Sequence, residues 1–538
     1  MRRAWLLLAV SALAQDADLV VRNARVWTGN PARLWADSIA VRGGRIIAVG
    51  GFTGKARSEI DAGGRMITPG FIDSHVHFLE GGFRLTSVQL RDAETKEEFV
   101  RRIAAFAKTV PEGTWITGGD WNHELWGGEL PSCGWIDTVT PRHPVWVNRL
   151  DGHMGLANSL ALKLAGVTKA TREVDGGTIV RNAEGDPAGV LKDNAMGLVA
   201  RAVPAPSPEQ LDKALDAAMR YVAGHGVTSV HHMGTWNDLE VFRRARKAGR
   251  LATRIYAAAP LADWERLRHY VHTNGQGDEW LRWGALKGFV DGSLGSHTAA
   301  FEEPFSDAPN DRGLLLNPPE KMREWIQSAD GAGLQLAVHA IGDRANRLLL
   351  DIYEEVSKAN GKRDRRFRIE HAQHLRAADI SRFARLGVIA SMQPYHAIDD
   401  GCWADKVIGK ERAKSTYAFR SLLDAGARVA FGSDWFVAPP SVAEGLYAAL
   451  TRATLDGRHP GGWVPEQKIG MAEALAAYTR AGAYASFEEK EKGTIETGKL
   501  ADFAVLDGDW TKIKPGELRK ARVWMTIAGG RVIFRTEK

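Results

Sequence analysis

The chain has 538 residues, of which 44% are hydrophobic and 25% are charged, so its composition indicates a folded protein with more than one domain. The net charge is +6, but 71 basic residues are interspersed with 65 acidic ones and no long basic run occurs, which argues against a nucleic-acid partner. The absence of low-complexity segments and of repeats of about 20 to 50 residues excludes a solenoid.

The first residues have the pattern of an export signal. The basic Met1–Arg3 precedes the apolar Ala4–Ala14, which is too short to span a bilayer and ends on small residues. We therefore expect a signal peptide over residues 1–14, a periplasmic or secreted protein, and no stable membrane insertion after cleavage. An untargeted N-terminus and an uncleaved anchor are the alternatives.

The chain contains two cysteines, Cys133 and Cys402. Export would allow a disulfide to persist between them, but sequence alone does not show that they meet. Two unpaired thiols are an equal alternative.

Short β-rich runs separated by glycine and asparagine turns occupy both ends of the chain. Residues 15–68 form the first set, and residues 491–538 form the second, in which Gly529-Gly530 between two apolar runs is typical of a hairpin. This pattern predicts one small β-sandwich built from both ends of the chain. Two unrelated β-rich appendages are the alternative.

The middle of the chain, residues 69–490, alternates apolar strands with amphipathic helical runs such as Pro208–Gly224 and Ala345–Ala359. Continuous apolar strands between helices predict a parallel sheet, and eight of them predict a (β/α)8 barrel of the α/β class. The expected strands are Met66–His77, Gly226–His232, Arg254–Ala259, Ala285–Asp291, Leu334–Ala340, Arg368–Ala372, Val388–Gln393 and Arg428–Asp434.

The connection between the first and second expected strands is far longer than an ordinary βα loop. We interpret residues 79–206 as an insertion with structure of its own, which lies near the C-terminal face of the barrel because it follows the first strand directly. The insertion is rich in tryptophan. We expect most of these side chains to fill its own core and Trp121 to form part of an apolar substrate wall.

Ligand-type residues lie at one end of several expected strands. His75 and His77 flank Val76 and therefore point to the same face of the first strand. At the C-terminal end of a barrel strand, that face opens on the active-site mouth. Four later strands bring Lys287, His339, His371 and Asp434 to the same end. Each residue alone has an ordinary structural interpretation, but their positions at the same end of successive strands predict a metal centre.

Six motifs stand in order between Asp18 and Phe534: PGFIDSHVH, LKGFVDGSLG, VHAIGDRA, EHAQ, FGSDW and KGTIETGKLADFAVLD. On these motifs the chain resembles the amidohydrolase superfamily, and within it the third family, which contains the YtcJ-like proteins and the N-substituted formamide deformylases. The resemblance implies a TIM-like (β/α)8 metallo-hydrolase barrel with a composite β-sandwich and a large insertion after the first barrel strand.

The resemblance also implies a ligand set. Its members are His75, His77, Lys287, His339, His371 and Asp434. The first two would bind one metal together with Asp434, whereas Lys287, as a carbamate formed with CO2, would bridge to a second metal held by the other two histidines. These ligands suit Zn²⁺ best, with Mn, Fe, Co and Ni open, and either one or two ions per chain fit the sequence.

The implied activity is hydrolysis of a non-peptide C–N bond in a small-molecule amide, formamide or cyclic amide. A metal-activated hydroxide would attack the carbonyl, and Asp434 would act as general base and then return the proton to the leaving nitrogen. The alternatives are a metal-dependent esterase or isomerase on the same scaffold, or a non-catalytic exported binding protein. A homodimer is the default assembly.

Several further residues are candidates for substrate contacts. Asp151-Gly152-His153 resembles a family motif that faces the pocket, so His153 is expected to hydrogen-bond the substrate or its oxyanion. His297, Tyr395 and His396 follow the fourth and seventh strands and therefore belong to the expected pocket rim.

Two acidic residues are candidates to orient the ligand imidazoles. Asp343 lies in HAIGD after the fifth strand, and Glu370 lies beside His371. A helix cap is the alternative for Asp343, and a buried or solvated ion pair is the alternative for Glu370.

Overall fold

The computed structural model describes residues 16–537. The predicted signal peptide, residues 1–14, lies outside the described residues. Within the described range, every helix is too short or too polar to span a bilayer. Cys133 and Cys402 are both free thiols, so no disulfide joins them.

The N-terminal part of the chain forms short strands joined by tight turns. They are β1 (Ala17–Arg22), β2 (Arg25–Trp27), β3 (Trp35–Ala36), β4 (Ile39–Arg42), β5 (Arg45–Val49), β6 (Ala56–Asp61) and β7 (Met66–Pro69). One sheet has the strand order β5-β4-β1-β6. At the turn between β4 and β5, Gly43 and Gly44 have φ angles of 57° and 75°, which side chains with a Cβ rarely adopt.

The first barrel strand, β8 (Phe71–Val76), leads into the insertion. The insertion contains α1 (Phe78–Arg84), β9 (Val88–Gln89), α2 (Lys96–Ala107), β10 (Ile116–Trp121), α3 (Cys133–Ile136), β11 (Val145–Arg149), β12 (Met154–Ala157), α4 (Ser159–Leu164), β13 (Gly177–Arg181), β14 (Pro187–Asp193) and α5 (Gly197–Ala200). Its strands form a sheet of their own in the order β13-β14-β12-β11-β10-β9.

Trp121 does not form a substrate wall, which corrects the expectation from the sequence. It is fully buried in the hydrophobic core of the insertion, together with Phe99 and Ile116. Its indole nitrogen donates to the carbonyl oxygen of Val147 at 3.0 Å. A buried tryptophan needs such a partner for its N–H, and the neighbouring strand supplies one inside the core.

The rest of the barrel follows in chain order. Its elements are α6 (Pro208–Ala223), β15 (Val227–Met233), α7 (Trp236–Lys247), β16 (Arg254–Pro260), α8 (Trp264–Asn274), β17 (Leu281–Phe289), α9 (Pro319–Gly331), β18 (Gln335–Ala340), α10 (Asp343–Ala359), β19 (Arg368–His371), α11 (Ala377–Leu386), β20 (Ile389–Met392), α12 (Pro394–Asp400), α13 (Ala404–Ile408), α14 (Lys410–Ala413), α15 (Phe419–Asp424), β21 (Arg428–Phe431), α16 (Val442–Thr451), α17 (Met471–Ala477) and α18 (Arg480–Ala485).

Eight parallel strands run in the order β8-β15-β16-β17-β18-β19-β20-β21, which confirms the predicted barrel. Strands β8, β15 and β18 are buried at every residue, as expected for a sheet covered on both faces. Strand β17 begins at Leu281, four residues before its predicted start. Trp283 pairs with Ala257 and Ala285 with Ala258, so Gly284, at φ 128°, is the extra residue of a bulge that interrupts the strand pattern.

The barrel closes between β8 and the segment that follows β21. The backbone N–H of Asp434 donates to the carbonyl oxygen of His75 at 2.7 Å, and the N–H of His77 donates to the carbonyl oxygen of Trp435 at 2.7 Å. These seam bonds bring His75, His77 and Asp434 together at the carboxyl end of the barrel.

The C-terminal strands complete the second terminal sheet. They are β22 (Phe503–Leu506), β23 (Val523–Ala528) and β24 (Arg531–Arg535). The sheet has the order β24-β23-β22-β7-β2-β3, so it combines strands from both ends of the chain. Its core includes Phe503 and Met525 packed with Leu19 and Val41 of the first sheet, as the sandwich prediction requires.

The sandwich is also tied to the barrel. Strand β7 ends at Pro69, immediately before β8. In addition, the buried Arg254 of β16 makes an ion pair with the buried Asp502, which precedes β22, at 2.7 Å. The sandwich is therefore tied to the first barrel strand through β7 and to the third barrel strand, β16, through a buried ion pair.

Candidate metal centre and cavity

Two histidines and one carboxylate converge at the barrel seam. Oδ1 of Asp434 lies 3.4 Å from Nε2 of His75 and 3.3 Å from Nε2 of His77. This oxygen is buried and has no hydrogen-bond partner. One ligand atom from each residue lies within 4.8 Å of the other two. A buried acceptor facing imidazole nitrogens is costly unless a cation or donor satisfies it, so the donor set fits a divalent metal.

Glu370 fixes the orientation of His75. Its Oε2 lies 2.5 Å from Nδ1 of His75, and Arg368 donates to the same carboxylate at 2.7 and 3.0 Å. All three side chains are fully buried. With the Nδ1 proton assigned to this bond, the Nε2 lone pair of His75 faces Asp434, as a metal ligand requires. Glu370 was expected to orient an imidazole; its partner is His75 rather than the adjacent His371.

His339 and His371 lie beside this cluster. Their ring centroids are 4.6 Å apart, and the centroid of His371 is 4.8 Å from that of His75. Nδ1 of His371 lies 2.8 Å from the side-chain oxygen of Gln393, and Nε2 of His339 lies 2.9 Å from the carbonyl oxygen of Gly292. Burial holds the pKa of both histidines, and of His75, well below the ordinary value, so each imidazole is neutral and able to bind a metal.

Lys287 is buried next to the same group. Its Nζ lies 3.2 Å from Nε2 of His75. Burial lowers the pKa of Lys287 to about 8. About a tenth of the amine is therefore neutral at pH 7, far more than for an ordinary lysine, and only the neutral form reacts with CO2.

Asp343 does not orient His339, contrary to expectation. It is the first residue of α10, and its carboxylate accepts the backbone N–H of Glu302 at 2.9 Å. The carbonyl oxygen of Gly292 contacts Nε2 of His339 at 2.9 Å instead, while the nearby Asp291 lies 3.6 Å from this nitrogen and accepts the N–H of Ile341. Asp343 is not the cap of α10 either, since the N-cap is Gly342, and its carboxylate instead ties the start of the helix to the loop at Glu302.

Backbone strain accompanies two of the candidate ligands. His371 has a φ of 74° and Asp434 a φ of 60°, in the left-handed region that non-glycine residues rarely occupy. Each such residue costs about 1–3 kcal/mol, and strain of this kind is concentrated at functional sites. The seam bond from the Asp434 N–H to His75 helps to hold the strained turn in place.

Asp434 is an ionised carboxylate in this setting. Burial alone would raise its pKa, but the neighbouring His75 and His77 outweigh that effect and keep the pKa below its ordinary value. The carboxylate is therefore able to accept a proton or to bind a cation at neutral pH.

The cluster opens into a solvent-connected cavity at the carboxyl end of the barrel. Its walls come from the barrel loops and from the insertion, which contributes Asn122, Arg149, Asp151 and His153. The insertion therefore covers the carboxyl end of the barrel, as predicted from its place after the first strand.

His153 faces this cavity with a carboxylate behind it. Its Nδ1 lies 2.6 Å from Oδ1 of Asp193, and its ring centroid lies 5.2 Å from that of His339. Burial would lower the pKa of His153, but the bond to Asp193 outweighs it and raises the pKa above the ordinary value. The protonated form of His153, which donates from both ring nitrogens, is therefore favoured relative to a free imidazole. Sequence reasoning missed Asp193, because no spacing links it to His153.

Arg149 forms a second polar wall that sequence reasoning missed. Its guanidinium donates to Asp151 at 2.7 Å and contacts His123 at 3.3 Å. It packs against Gly295, where an added Cβ would lie 2.4 Å from Nη2. No motif in the sequence marked Arg149, since its role depends on contacts between the insertion and a barrel loop.

The predicted rim residues separate in the structure. His396 lines the cavity, whereas Tyr395 and His297 are not among its lining residues. Adjacent residues on the first turn of α12 point about 100° apart, so Tyr395 and His396 cannot share one direction. His297 turns away and pairs with Asp307 at 3.0 Å.

A closed parallel barrel with a histidine and aspartate cluster at its carboxyl mouth defines a metal-binding α/β barrel of the hydrolase type. The sequence model of the amidohydrolase family matches residues 58–534. The chain therefore belongs to the amidohydrolase family, which confirms the resemblance found in its motifs.

Known proteins agree with this assignment. The chain is 42% identical to Protein LONG AFTER FAR-RED 3 of Arabidopsis thaliana, over 96% of this chain and 92% of that protein. It is 30% identical to YtcJ of Bacillus subtilis, over 88% and 90%, and 30% identical to the N-substituted formamide deformylase of Arthrobacter pascens, over 98% and 99%.

A solved structure shows the same architecture. An uncharacterized metal-dependent hydrolase from Pyrococcus horikoshii superposes with a TM-score of 0.74 at 26% identity, and the match covers 93% of this chain and 99% of that one. Family and fold together make this chain a hydrolase with a metal-binding barrel.

Proposed function

We propose that the protein hydrolyses a non-peptide C–N bond in a small amide, formamide or cyclic amide. The observation that carries the proposal is the unpartnered, ionised Oδ1 of Asp434 between His75 and His77 at the floor of the cavity. The similarity to an N-substituted formamide deformylase along nearly the whole chain supports the choice of bond.

In the proposed reaction, His75, His77 and Asp434 hold a divalent metal, with Zn²⁺ as the expected ion. When bound, the metal supplies Lewis acidity toward the substrate carbonyl and lowers the pKa of water. Asp434 receives the proton of the attacking water and delivers it to the leaving nitrogen, so one carboxylate serves as base and then as acid.

The cavity walls hold the substrate. His153 donates a hydrogen bond to the carbonyl oxygen, where negative charge develops during attack, and Asp193 keeps its imidazole protonated. Arg149 presents N–H donors to polar groups on the acyl side. Because these residues belong to the insertion, the insertion sets which amides enter.

Lys287 is proposed to react with CO2 as its neutral amine and to become an anionic oxygen ligand. Its burial, its lowered pKa and its 3.2 Å approach to His75 support this step. Carbamate formation joins the Lys287 nitrogen to the CO2 carbon and releases one proton, so the side chain changes from neutral to singly negative.

The test combines metal content with turnover. Purified protein should carry at least one tightly bound divalent ion by elemental mass spectrometry, lose hydrolysis of an N-substituted formamide panel on chelation, and regain it on reloading with Zn²⁺. Asp434→Asn should abolish turnover while retaining much of the metal. His297→Ala, which alters a histidine outside the cavity, is the matched control and should keep both.

Two results would contradict the proposal. Asp434→Asn with turnover close to that of the original protein would remove the assigned base. Tight metal binding without turnover of any amide, formamide or cyclic amide would favour ester hydrolysis, isomerisation or a binding role on the same scaffold.

A further inference from the structure

His77 is held differently from the other candidate histidine ligands. His75, His339 and His371 each have a hydrogen-bond partner on a ring nitrogen that fixes the imidazole. Within residues 16–537, the imidazole of His77 has no hydrogen-bond partner other than Asp434, 3.3 Å away, and its side chain is 26% exposed. The direction of this ring therefore depends on the backbone on either side of it.

That backbone is fixed on both sides of His77. The N–H of His77 donates to the carbonyl oxygen of Trp435 across the barrel seam at 2.7 Å. The next N–H is that of Phe78, the first residue of α1, and it donates to Nδ1 of His232 at 3.0 Å. His232 is buried on β15 and pairs with Val76 of β8. The neighbouring barrel strand therefore holds the turn that follows the ligand.

His232 is itself held in one orientation. Its Nε2 lies 3.1 Å from Oδ2 of Asp238, and the same oxygen accepts the N–H of Thr235 at 2.8 Å. Its ring packs edge-on against Phe242 of α7, with centroids 4.9 Å apart. A Cβ added at Gly234 would overlap the His232 ring, so glycine gives this ring its space. Because Nδ1 accepts and Nε2 donates, the imidazole of His232 is neutral with its proton on Nε2.

We propose that His232 is a positioning residue for the metal ligand His77. By accepting the Phe78 N–H, it fixes the peptide that follows His77 and so directs the His77 imidazole toward Asp434. His232 is not among the residues that line the cavity, so it acts without touching the substrate. The inference rests on the proposed metal-dependent function. A histidine that only caps α1 would affect stability alone, whereas a positioning residue also sets metal affinity.

The test uses two substitutions that each keep one nitrogen position of the imidazole. In His232→Asn, the amide oxygen lies near the place of Nδ1 and still accepts from Phe78; in His232→Gln, the longer amide reaches toward Asp238 and leaves the Phe78 N–H without its acceptor. Binding of Co²⁺ alone to metal-free protein is measured by competition with a chelating dye. His232→Gln should bind Co²⁺ at least about 10-fold more weakly than the unaltered chain, and His232→Asn should stay within about twofold of it.

A second pair of variants leaves His232 in place. The Asp238 side chain is 20% exposed, so replacing it leaves the core intact. Asp238→Ala removes the acceptor that holds Nε2 and should weaken Co²⁺ binding, whereas the amide oxygen of Asp238→Asn can accept both bonds and should preserve it. His143→Gln is the control, because His143 is a buried histidine of the insertion whose Nδ1 contacts the carbonyl oxygen of Thr114 at 3.3 Å. It should lower Tm without changing Co²⁺ affinity.

Crystal structures of the metal-free His232 variants give a measurement that needs neither metal nor turnover. The distance from Nε2 of His77 to Oδ1 of Asp434, 3.3 Å in the unaltered chain, should lengthen in His232→Gln and be kept in His232→Asn. Equal Co²⁺ affinities in the two His232 variants, or an unmoved His77 in His232→Gln, would overturn the proposal. Failure of the proposed function would instead appear in the unaltered chain, as no bound metal or no amide turnover.

Discussion

Glu370→Gln tests whether the bond behind His75 is needed for metal binding. The carboxylate of Glu370 accepts hydrogen bonds from His75 at 2.5 Å and from Arg368 at 2.7 and 3.0 Å. Glutamine keeps one acceptor oxygen. If that oxygen stays on Arg368, the amide N–H faces Nδ1 of His75 and favours the tautomer with its proton on Nε2, the nitrogen that must bind the metal.

The expected loss of metal affinity can be estimated from the missing hydrogen bond between His75 and Glu370. Removing such a partner of a metal-binding histidine typically weakens metal affinity about 10- to 100-fold, which corresponds to about 1.4–2.8 kcal/mol. Arg368 also loses its buried counter-charge, and breaking a buried ion pair from one side costs about 3–5 kcal/mol of stability. The variant should therefore lose both metal affinity and thermal stability.

The assay is competitive titration with a chelating dye, beside thermal unfolding by circular dichroism. Glu488→Gln is the matched control, because Glu488 is buried and pairs with Lys492 at 2.9 Å on another part of the chain. It should lose stability without losing metal affinity. A folded Glu370→Gln protein whose dissociation constant for Zn²⁺ stays within about twofold of the original value would refute the reasoning.

Three further predictions concern other parts of the molecule. Asp193→Asn removes the carboxylate that raises the pKa of His153, so His153 should lose its proton at lower pH; an NMR titration should show a lower pKa, and the alkaline limb of the kcat/KM profile should shift to lower pH. Gly295→Ala places a methyl group against the guanidinium of Arg149 and should raise KM more than it lowers kcat, measured by steady-state kinetics. Asp502→Asn breaks a buried ion pair and should cost about 3–5 kcal/mol, seen as a lower Tm.

The first prediction has a contradicting outcome, and the other two have control variants. An unchanged pKa of His153 in the first variant would contradict the role of its carboxylate partner. Gly516→Ala, at a position where an added Cβ meets nothing within 4 Å, should leave KM unchanged. Replacing both Arg254 and Asp502 with apolar residues should be less destabilising than Asp502→Asn alone, because no buried charge is then left unpaired.

The barrel could be predicted from the sequence because its strands are buried on both faces. That burial makes each strand a continuous apolar run, and all eight predicted runs correspond to strands. The largest boundary errors are at β8, where the predicted Met66 start belongs to β7 of the terminal sheet, and at β17, where the bulge at Gly284 separates Leu281–Trp283 from the rest of the strand. Local sequence does not reveal a bulge whose partner, Ala257, lies elsewhere in the chain.

The candidate ligands could be predicted for a related reason. Strand ends are local features, and the barrel brings them to one mouth, so His75, His77 and Asp434 could be inferred to converge before any distance was known. The residues that surround these ligands could not be predicted from the sequence. Asp193 contacts His153 within the insertion and Arg149 contacts a barrel loop at Gly295, and no periodic spacing in the sequence links either residue to its partner.

The seam has a consequence for how the protein is made. His75 and His77 leave the ribosome more than 350 residues before Asp434, with which they share the seam bonds and the candidate metal. Strand β7, which leads directly into β8, pairs with β22, so this pairing forms only after residues 503–506 have been synthesised. The centre can therefore be completed only after Asp434 has been synthesised, and the sheet that supports β7 only after residues 503–506 have followed.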